Sequence, residues 1–432
     1  MSQARFRTLL FALLPAVLLA ACDQEQPKTV CTDSLGCVVI GPTEPIKIGV
    51  IQALSGKVAP LGLEQIRGLE LALNAREGKV AGHAVVLQTE DDGCTSEGGA
   101  NAALKVVADP QTVAIFGSTC SGAAATAAKA MSDAGLSMIS GNNSAPFLTA
   151  IGGKRAPNWQ PGYFRTAPNE EHSGEAAATY AYNTLGIRRA ATINDNDIYT
   201  RGLTDGFART FTNLGGTIAL NAAINKGDSD MGPVLDGVAQ SQAKLLFFPL
   251  FQPEGNHILA QGRKHAQLGD LVLMSDGALI EHSFLAAMGD LARGMYFVGP
   301  CPATTPRSTD LAQRYLDVFK TQPATSYYQS GFDAANLLFL AIERSANRQS
   351  DGGLVLGREA LRRALYGMRH VEGVTGSLSC DPFGDCASAV FNVLRLDDPA
   401  AGVAGLQRTI LYSHAPQQRP PGTAPADGPD RP

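Results

Sequence analysis

Short apolar runs alternate with amphipathic segments twice along this chain, and that alternation constrains its fold more than any other feature. The first series places apolar runs at residues 46–51, 84–87, 113–116 and 136–139. The second places them at 190–193, 217–220, 244–250 and 271–274. Helical segments lie between them. One carries Leu63, Ile66, Leu69 and Leu73 on one side and Glu64, Arg67 and Glu70 on the other. Others are expected at 100–108, 203–214 and 254–267, with further periodic helices at 311–319 and 332–344 and an alternating strand at 390–396. Strands joined by helices run parallel, because a parallel pair needs a long crossover. The fold class is therefore α/β, with two similar lobes, each on a central parallel sheet. A chain of 432 residues also exceeds what one core usually supports.

In open sheets of this kind, ligands bind beyond the carboxyl ends of the strands. Two polar turns fall there: Gly117-Ser118-Thr119-Cys120-Ser121-Gly122 and Ser140-Gly141-Asn142-Asn143-Ser144. Their hydroxyls and amides, with free backbone N–H groups at a helix start, suit a small anion such as a carboxylate. The net charge of -5 provides no basic field, so nucleic acid is not an expected partner.

The chain opens with an export signal over residues 1–21. Arg5 and Arg7 precede an apolar stretch at 9–19, too short for a comfortable transmembrane span. Leu19-Ala20-Ala21-Cys22 resembles a bacterial lipoprotein box, in which Cys22 is lipidated. An ordinary signal peptide with a chance cysteine is the alternative. The mature protein is then expected outside the cytoplasm, lipid-anchored and facing the periplasm or cell exterior. Residues 22–45 read as a polar tether. Residues 414–432, rich in Pro, Gly and Ala, read as a disordered tail.

Enzyme signatures are missing from the sequence. It has no Gly-x-Ser-x-Gly elbow, no His-Glu-x-x-His pair and no phosphate loop, and its seven His are scattered. No cofactor is expected. Glu170-Glu171-His172 can be drawn as metal ligands, but a solvated turn near a hinge is the plainer reading. Asp195 and Asp197 pair by spacing only. Cys31/Cys37 and Cys380/Cys386 can be drawn as a four-Cys zinc site, but in an exported protein disulfides are the better account. No metal site is expected.

With these residues in view, the chain resembles the branched-chain amino acid class of solute-binding proteins, substrate receptors of ABC importers with the type I periplasmic fold. The resemblance spans about residues 46–413. It is carried by Ile46-Lys47-Ile48-Gly49-Val50 with Ser55-Gly56, by Glu90-Asp91-Asp92-Gly93-Cys94, and by Gly117-Ser118-Thr119-Cys120-Ser121. Phe164-Arg165-Thr166-Ala167, Asn194-Asp195 with Tyr199, Ser275-Asp276-Gly277 and Phe332-Asp333-Ala334-Ala335 continue it in order.

The resemblance implies a three-crossing hinge, with 46–167 and 301–376 in lobe one and 168–300 and 377–413 in lobe two. It implies that Ser121, with the turn at Asn142, Asn143 and Ser144, holds a ligand carboxylate. Asp276 would meet the ammonium and Tyr199 would close over the ligand. Ser121 and Asp276 also read as helix caps, and Tyr199 as a wall residue. Leu61 and Phe251 stand where relatives place aromatics, which makes the side-chain pocket more apolar. Asp195, near the pocket, would admit a polar or basic ligand. The implied ligand is a free amino acid, branched-chain or small and neutral. The implied partner is an ABC permease in the membrane, and a monomer is expected. A sensing receptor of the same fold is the alternative, and a lipoprotein hydrolase is disfavoured by the missing motifs.

Eight cysteines less a lipidated Cys22 leave seven, so at least one is unpaired within the chain. The family pattern pairs Cys94 with Cys120. Cys380 with Cys386 is expected across the intervening turn. Cys31 and Cys37 pair with each other unless Cys301 captures one of them.

Overall fold

The computed structural model describes residues 31–300, 304–388 and 390–415. The expected export signal, Cys22, Cys301 and most of the expected tail, from residue 416 on, lie outside the described residues. Among the described residues, no helix is long and apolar enough to cross a membrane.

Two large sheets organise the chain. The first has six strands in the order Lys79–Val80, His83–Asp91, Ile46–Gln52, Thr112–Gly117, Met138–Ser140 and Tyr163–Arg165. All neighbours are parallel except the short Lys79–Val80 edge. Thr112–Gly117 is buried at every residue, as a parallel strand covered on both faces must be. The second sheet has seven strands: Thr217–Ala223, Arg189–Asn194, Leu245–Phe247, Val272–Asp276, Tyr296–Gly299, Phe391–Arg395 and Ile410–His414. The first five are parallel and the last two antiparallel. Both sheets are thus mixed rather than purely parallel. In the first sheet a tight turn returns the Lys79–Val80 edge onto His83–Asp91, whereas in the second Phe391–Arg395 enters beside Tyr296–Gly299 only after the chain has passed through the other lobe.

After Gly299 the chain returns to the first lobe. Helix Pro306–Phe319 places Tyr315 so that its hydroxyl donates to Glu64 Oε1 at 2.7 Å. Helix Tyr327–Ser345 lies directly on helix Ala59–Asn74. Gly68 makes that approach possible, because a Cβ there would sit 2.4 Å from the Tyr328 carbonyl oxygen. The buried face of Ala59–Asn74 runs through Leu61, Gln65, Gly68, Leu69 and Ala72. That register turns Leu63 outward to 43% exposure, so the stripe expected through Leu63 is rotated.

Two boundaries differ from expectation. The described part of the 22–45 tether is structured: Cys37–Ile40 is a strand paired antiparallel with Leu354–Gly357. Its alternate residues Val38 and Ile40 are buried in the first lobe's core, which a free tether could not achieve. The segment 377–388 also belongs to the first lobe. Cys380 and Cys386 are buried in the same core, and Asp385 bridges to Arg165. Chain joins the second sheet only at Phe391, and His414 ends a strand rather than starting a tail.

The chain passes between the sheets after Arg165, after Gly299 and before Phe391. Arg165 anchors the first passage. It is fully buried and pairs with Asp385 at 2.5 Å. It also donates to the Ala145 carbonyl at 2.7 Å and to the Thr149 hydroxyl oxygen at 2.5 Å. A buried guanidinium this well partnered fixes the base of the cleft, since removing one partner of such a pair typically costs about 3–5 kcal/mol.

Candidate functional site

The first lobe supplies small neutral groups, each pinned from behind. Strand Thr112–Gly117 ends in a turn, and helix Ser121–Asp133 starts directly after Cys120. The Cys94–Cys120 disulfide ties that turn to the end of strand His83–Asp91, with Cα atoms 5.2 Å apart. Thr119 is held by donating to Gln52 Oε1 at 2.6 Å and accepting from the Ala53 N–H at 2.9 Å. Ser121 Oγ accepts from the Ala145 N–H at 3.2 Å. At the next strand end, Ser140 Oγ accepts from the N–H groups of Asn142 and Asn143, both at 3.0 Å. This ties off the turn that presents Asn142 and Ser144.

The second lobe supplies acids and aromatic rings. Asp276 ends strand Val272–Asp276 and is fully buried. Tyr199 lies in the first turn of helix Ile198–Asn213, whose N-cap Asp197 accepts from the Tyr199 N–H at 2.9 Å. The Tyr199 hydroxyl donates to Asp276 Oδ2, and its ring lies 5.1 Å from that of Phe251. Glu170 enters from the first passage, just ahead of helix Glu171–Asn183. The Ser144 hydroxyl of the first lobe donates to Glu170 Oε2 at 2.8 Å.

These acids carry a cost. Burial, and then the negative charge of Asp276, push the Glu170 carboxyl up to about 8. Burial pushes Asp276 up to about 7, against the opposing hydrogen bond from Tyr199. Tyr327, from the helix that returns to the first lobe, faces both acids, and burial together with their charges raises its hydroxyl. Two carboxyls and two tyrosines therefore surround a spot that favours a cation.

The groups meet around a cavity of about 10 Å³, lined by Leu61, Thr119, Ser121, Asn142, Ser144, Tyr199, Phe251, Ala278 and Tyr327. That is room for about one water, so the lobes are drawn together over the site. Contacts across the cleft agree with this. A Cβ on Gly122 would lie 2.5 Å from Asp197 Oδ2, and Lys226 reaches Asp197 at 2.8 Å and the Cys94 carbonyl at 3.4 Å.

Leu61, Ser121, Asn142, Ser144, Tyr199 and Phe251 thus line one cavity, and Asp276 joins it through Tyr199. Asn143 does not line it. Its side chain braces the turn, accepting from the Ser118 N–H at 3.1 Å and the Tyr163 hydroxyl at 3.2 Å. Asp195 is also committed elsewhere, accepting from the Thr200 hydroxyl at 2.6 Å and the Asp197 N–H at 3.0 Å. Neither is among the residues that line the cavity. Glu170, Tyr327, Thr119 and Ala278 were not foreseen. Glu170 is buried, where the sequence suggests a solvated turn near a hinge, because it follows the first passage directly into the space between the lobes.

His172 pairs with Glu175 at 2.8 Å rather than with Glu170, so the Glu170-Glu171-His172 metal arrangement does not form. The four-Cys zinc site does not form either, because Cys31–Cys37 and Cys380–Cys386 are both disulfides and offer no thiolate.

A model of the periplasmic binding protein family matches residues 45–391. The chain is 26% identical over 352 residues to the Leu/Ile/Val-binding protein BraC3 of Rhizobium johnstonii, covering 81% of this chain and 91% of the relative. Among solved structures, a leucine binding protein LivK from Thermotoga maritima superposes with a TM-score of 0.71 at 22% identity, covering 82% of this chain and 96% of that one. A solute-binding protein of an ABC transporter from R. palustris, in complex with benzoate, superposes with a TM-score of 0.70 at 20% identity, covering 82% and 93%.

Proposed function

The chain belongs to the periplasmic binding protein family, and from that premise we propose that it captures a free α-amino acid in its interlobe cleft and delivers it to an ABC importer. The observation that carries this reading is the opposed chemistry of the two cleft faces. The Ser121 hydroxyl, which accepts from the Ala145 N–H and keeps its own proton to give, and the Asn142 side-chain amide, which also lines the cavity, offer donors to a carboxylate. Glu170 and Asp276 offer acceptors to an ammonium. Charge-assisted bonds of this kind are the strong ones. A ligand with both charges on one carbon satisfies both faces at once and favours closure. An aromatic acid without an amine would leave two buried acids uncompensated.

Leu61, Phe251 and Ala278 supply the side-chain wall, with no charge to meet an acidic or basic side chain. The preferred ligand is accordingly branched-chain or small and neutral. The protein binds without catalysis, works as a monomer, and is held at the membrane outside the cytoplasm by a lipid on Cys22. Thermal-shift screening of the common amino acids followed by titration calorimetry on the mature chain tests the reading. Leucine, isoleucine, valine or alanine should bind at one equivalent. If no amino acid binds while benzoate does, the ammonium assignment fails.

A further inference from the structure

Away from the cleft, two histidines and a glutamate from separate parts of the second lobe converge. His172 and Glu175 lie one turn apart on helix Glu171–Asn183. His414 ends the edge strand Ile410–His414. His172 Nδ1 is 2.8 Å from Glu175 Oε2, His414 Nε2 is 3.5 Å from the same oxygen, and the three donor atoms all lie within 4.8 Å of one another. We propose that His172, Glu175 and His414 form a binding site for a divalent transition-metal ion of the Zn²⁺ class.

The donor set is the first argument. Two imidazoles and one carboxylate suit Zn²⁺ and similar borderline ions, and not Mg²⁺ or Ca²⁺, which take oxygen ligands. Bonds of about 2.0–2.1 Å at tetrahedral angles set donor atoms roughly 3.3 Å apart, so a small adjustment of these side chains completes the geometry. The second argument is an orphaned atom. His414 Nε2 is buried from water and makes no hydrogen bond of good geometry, since Glu175 Oε2 lies 3.5 Å away, at ion-pair distance. On the opposite side of that ring, Nδ1 lies 3.5 Å from the Tyr412 hydroxyl. A proton on Nδ1 facing Tyr412 leaves the Nε2 lone pair aimed at the cluster. Metal-binding histidines are typically oriented in this way by an outer partner. The third argument is access: all three residues are only partly buried, so an ion can enter from solvent. An ion here would staple the last described strand to the first helix after the hinge passage.

The site is independent of the amino acid cleft, since none of its three residues lines that cavity. The test uses tag-free mature protein, stripped with chelator and titrated with ZnCl₂ by calorimetry. One equivalent should bind and raise the melting temperature, and MgCl₂ should do neither. His172→Ala and His414→Ala should each weaken Zn²⁺ binding at least tenfold. His414→Gln, with amino acid binding retained as the folding control, should do the same. Co²⁺ should give the visible absorption of a tetrahedral site in the wild type and lose it in the variants. Zn²⁺ binding unaltered by the histidine substitutions, or no binding by a chain that still binds its amino acid, overturns the proposal.

Discussion

The two faces of the cleft are built on opposite principles. The first-lobe face consists of neutral groups at strand ends, each tied by a backbone hydrogen bond or the Cys94–Cys120 disulfide. Little has to change there when a carboxylate arrives. The second-lobe face carries buried acids whose ionisation burial opposes, bonded to tyrosines rather than to cations. One face is preorganised and comfortable. The other is kept short of a positive charge, and a ligand ammonium relieves it. Affinity should therefore depend far more on the acid face than on the hydroxyl face.

The largest effect is expected at Asp276. Truncating one partner of a desolvated charge pair typically costs about 2–5 kcal/mol, so Asp276→Ala should weaken amino acid binding by well over tenfold. The same variant should be at least as stable as wild type without ligand above neutral pH, because it removes a buried carboxyl that resists ionising. Calorimetry and chemical denaturation on the two chains check both halves. Equal affinity would break the assignment of the acid face.

Glu170→Gln comes next. It keeps an acceptor for the Ser144 hydroxyl but removes the charge. The loss should be smaller, about 1.5–3 kcal/mol, the scale of a hydrogen bond to a charged group. If Glu170→Gln binds like wild type, Asp276 alone meets the ammonium.

The third prediction concerns pH. Both acids have folded values above their unfolded ones, so the ligand-free protein holds more protons folded than unfolded across that interval. Stability then falls as pH rises. The decline should run from the ordinary carboxylate range, about 4, up to about 8, and level off above it. Asp92, raised by burial to about 6, contributes in the same direction. The difference between wild type and Asp276→Ala isolates the cleft. An arriving ammonium favours the ionised pair, so binding releases a proton, and affinity should rise with pH over the upper part of this window by up to about tenfold per unit. Calorimetry in buffers of different ionisation heat measures that proton directly.

How much of this was legible in the sequence follows the same division. The alternating apolar runs indicated two α/β series, because burial on both faces of a parallel strand leaves a continuous apolar signature. The strand-end serines and asparagines were visible as turns, and the resemblance to solute-binding proteins pointed to Ser121, Tyr199 and Asp276. Asn143 could not be told from its neighbours, since which side of a turn a side chain takes depends on Tyr163 and Ser118, distant in sequence or across the sheet. Glu170 and Tyr327 were missed because they reach the cleft from a hinge passage and a returning helix, where no local period marks them. The strand Cys37–Ile40 was hidden in a polar stretch whose partner, Leu354–Gly357, lies over 300 residues away. Short edge pairings of that range leave little local signal.

The smallest effect is expected on the comfortable face. Ser121→Ala removes a single hydroxyl from a site where neighbouring donors remain. The Ala145 N–H that it satisfies would lose its partner, while the Cys94–Cys120 disulfide would still hold the helix start in place. A hydrogen bond to a charged group is worth about 1.5–3 kcal/mol, and the donors that remain should hold the loss at the lower end of that range, roughly tenfold in affinity. Its pH dependence should match wild type, because the group that titrates is untouched. That pairing of outcomes separates the faces more sharply than either affinity alone: a hydroxyl change lowers binding equally at pH 6 and pH 8, whereas an acid-face change alters the slope between them. If Ser121→Ala instead weakened binding more than Asp276→Ala, the carboxylate would be the dominant anchor, and the two faces would have exchanged roles.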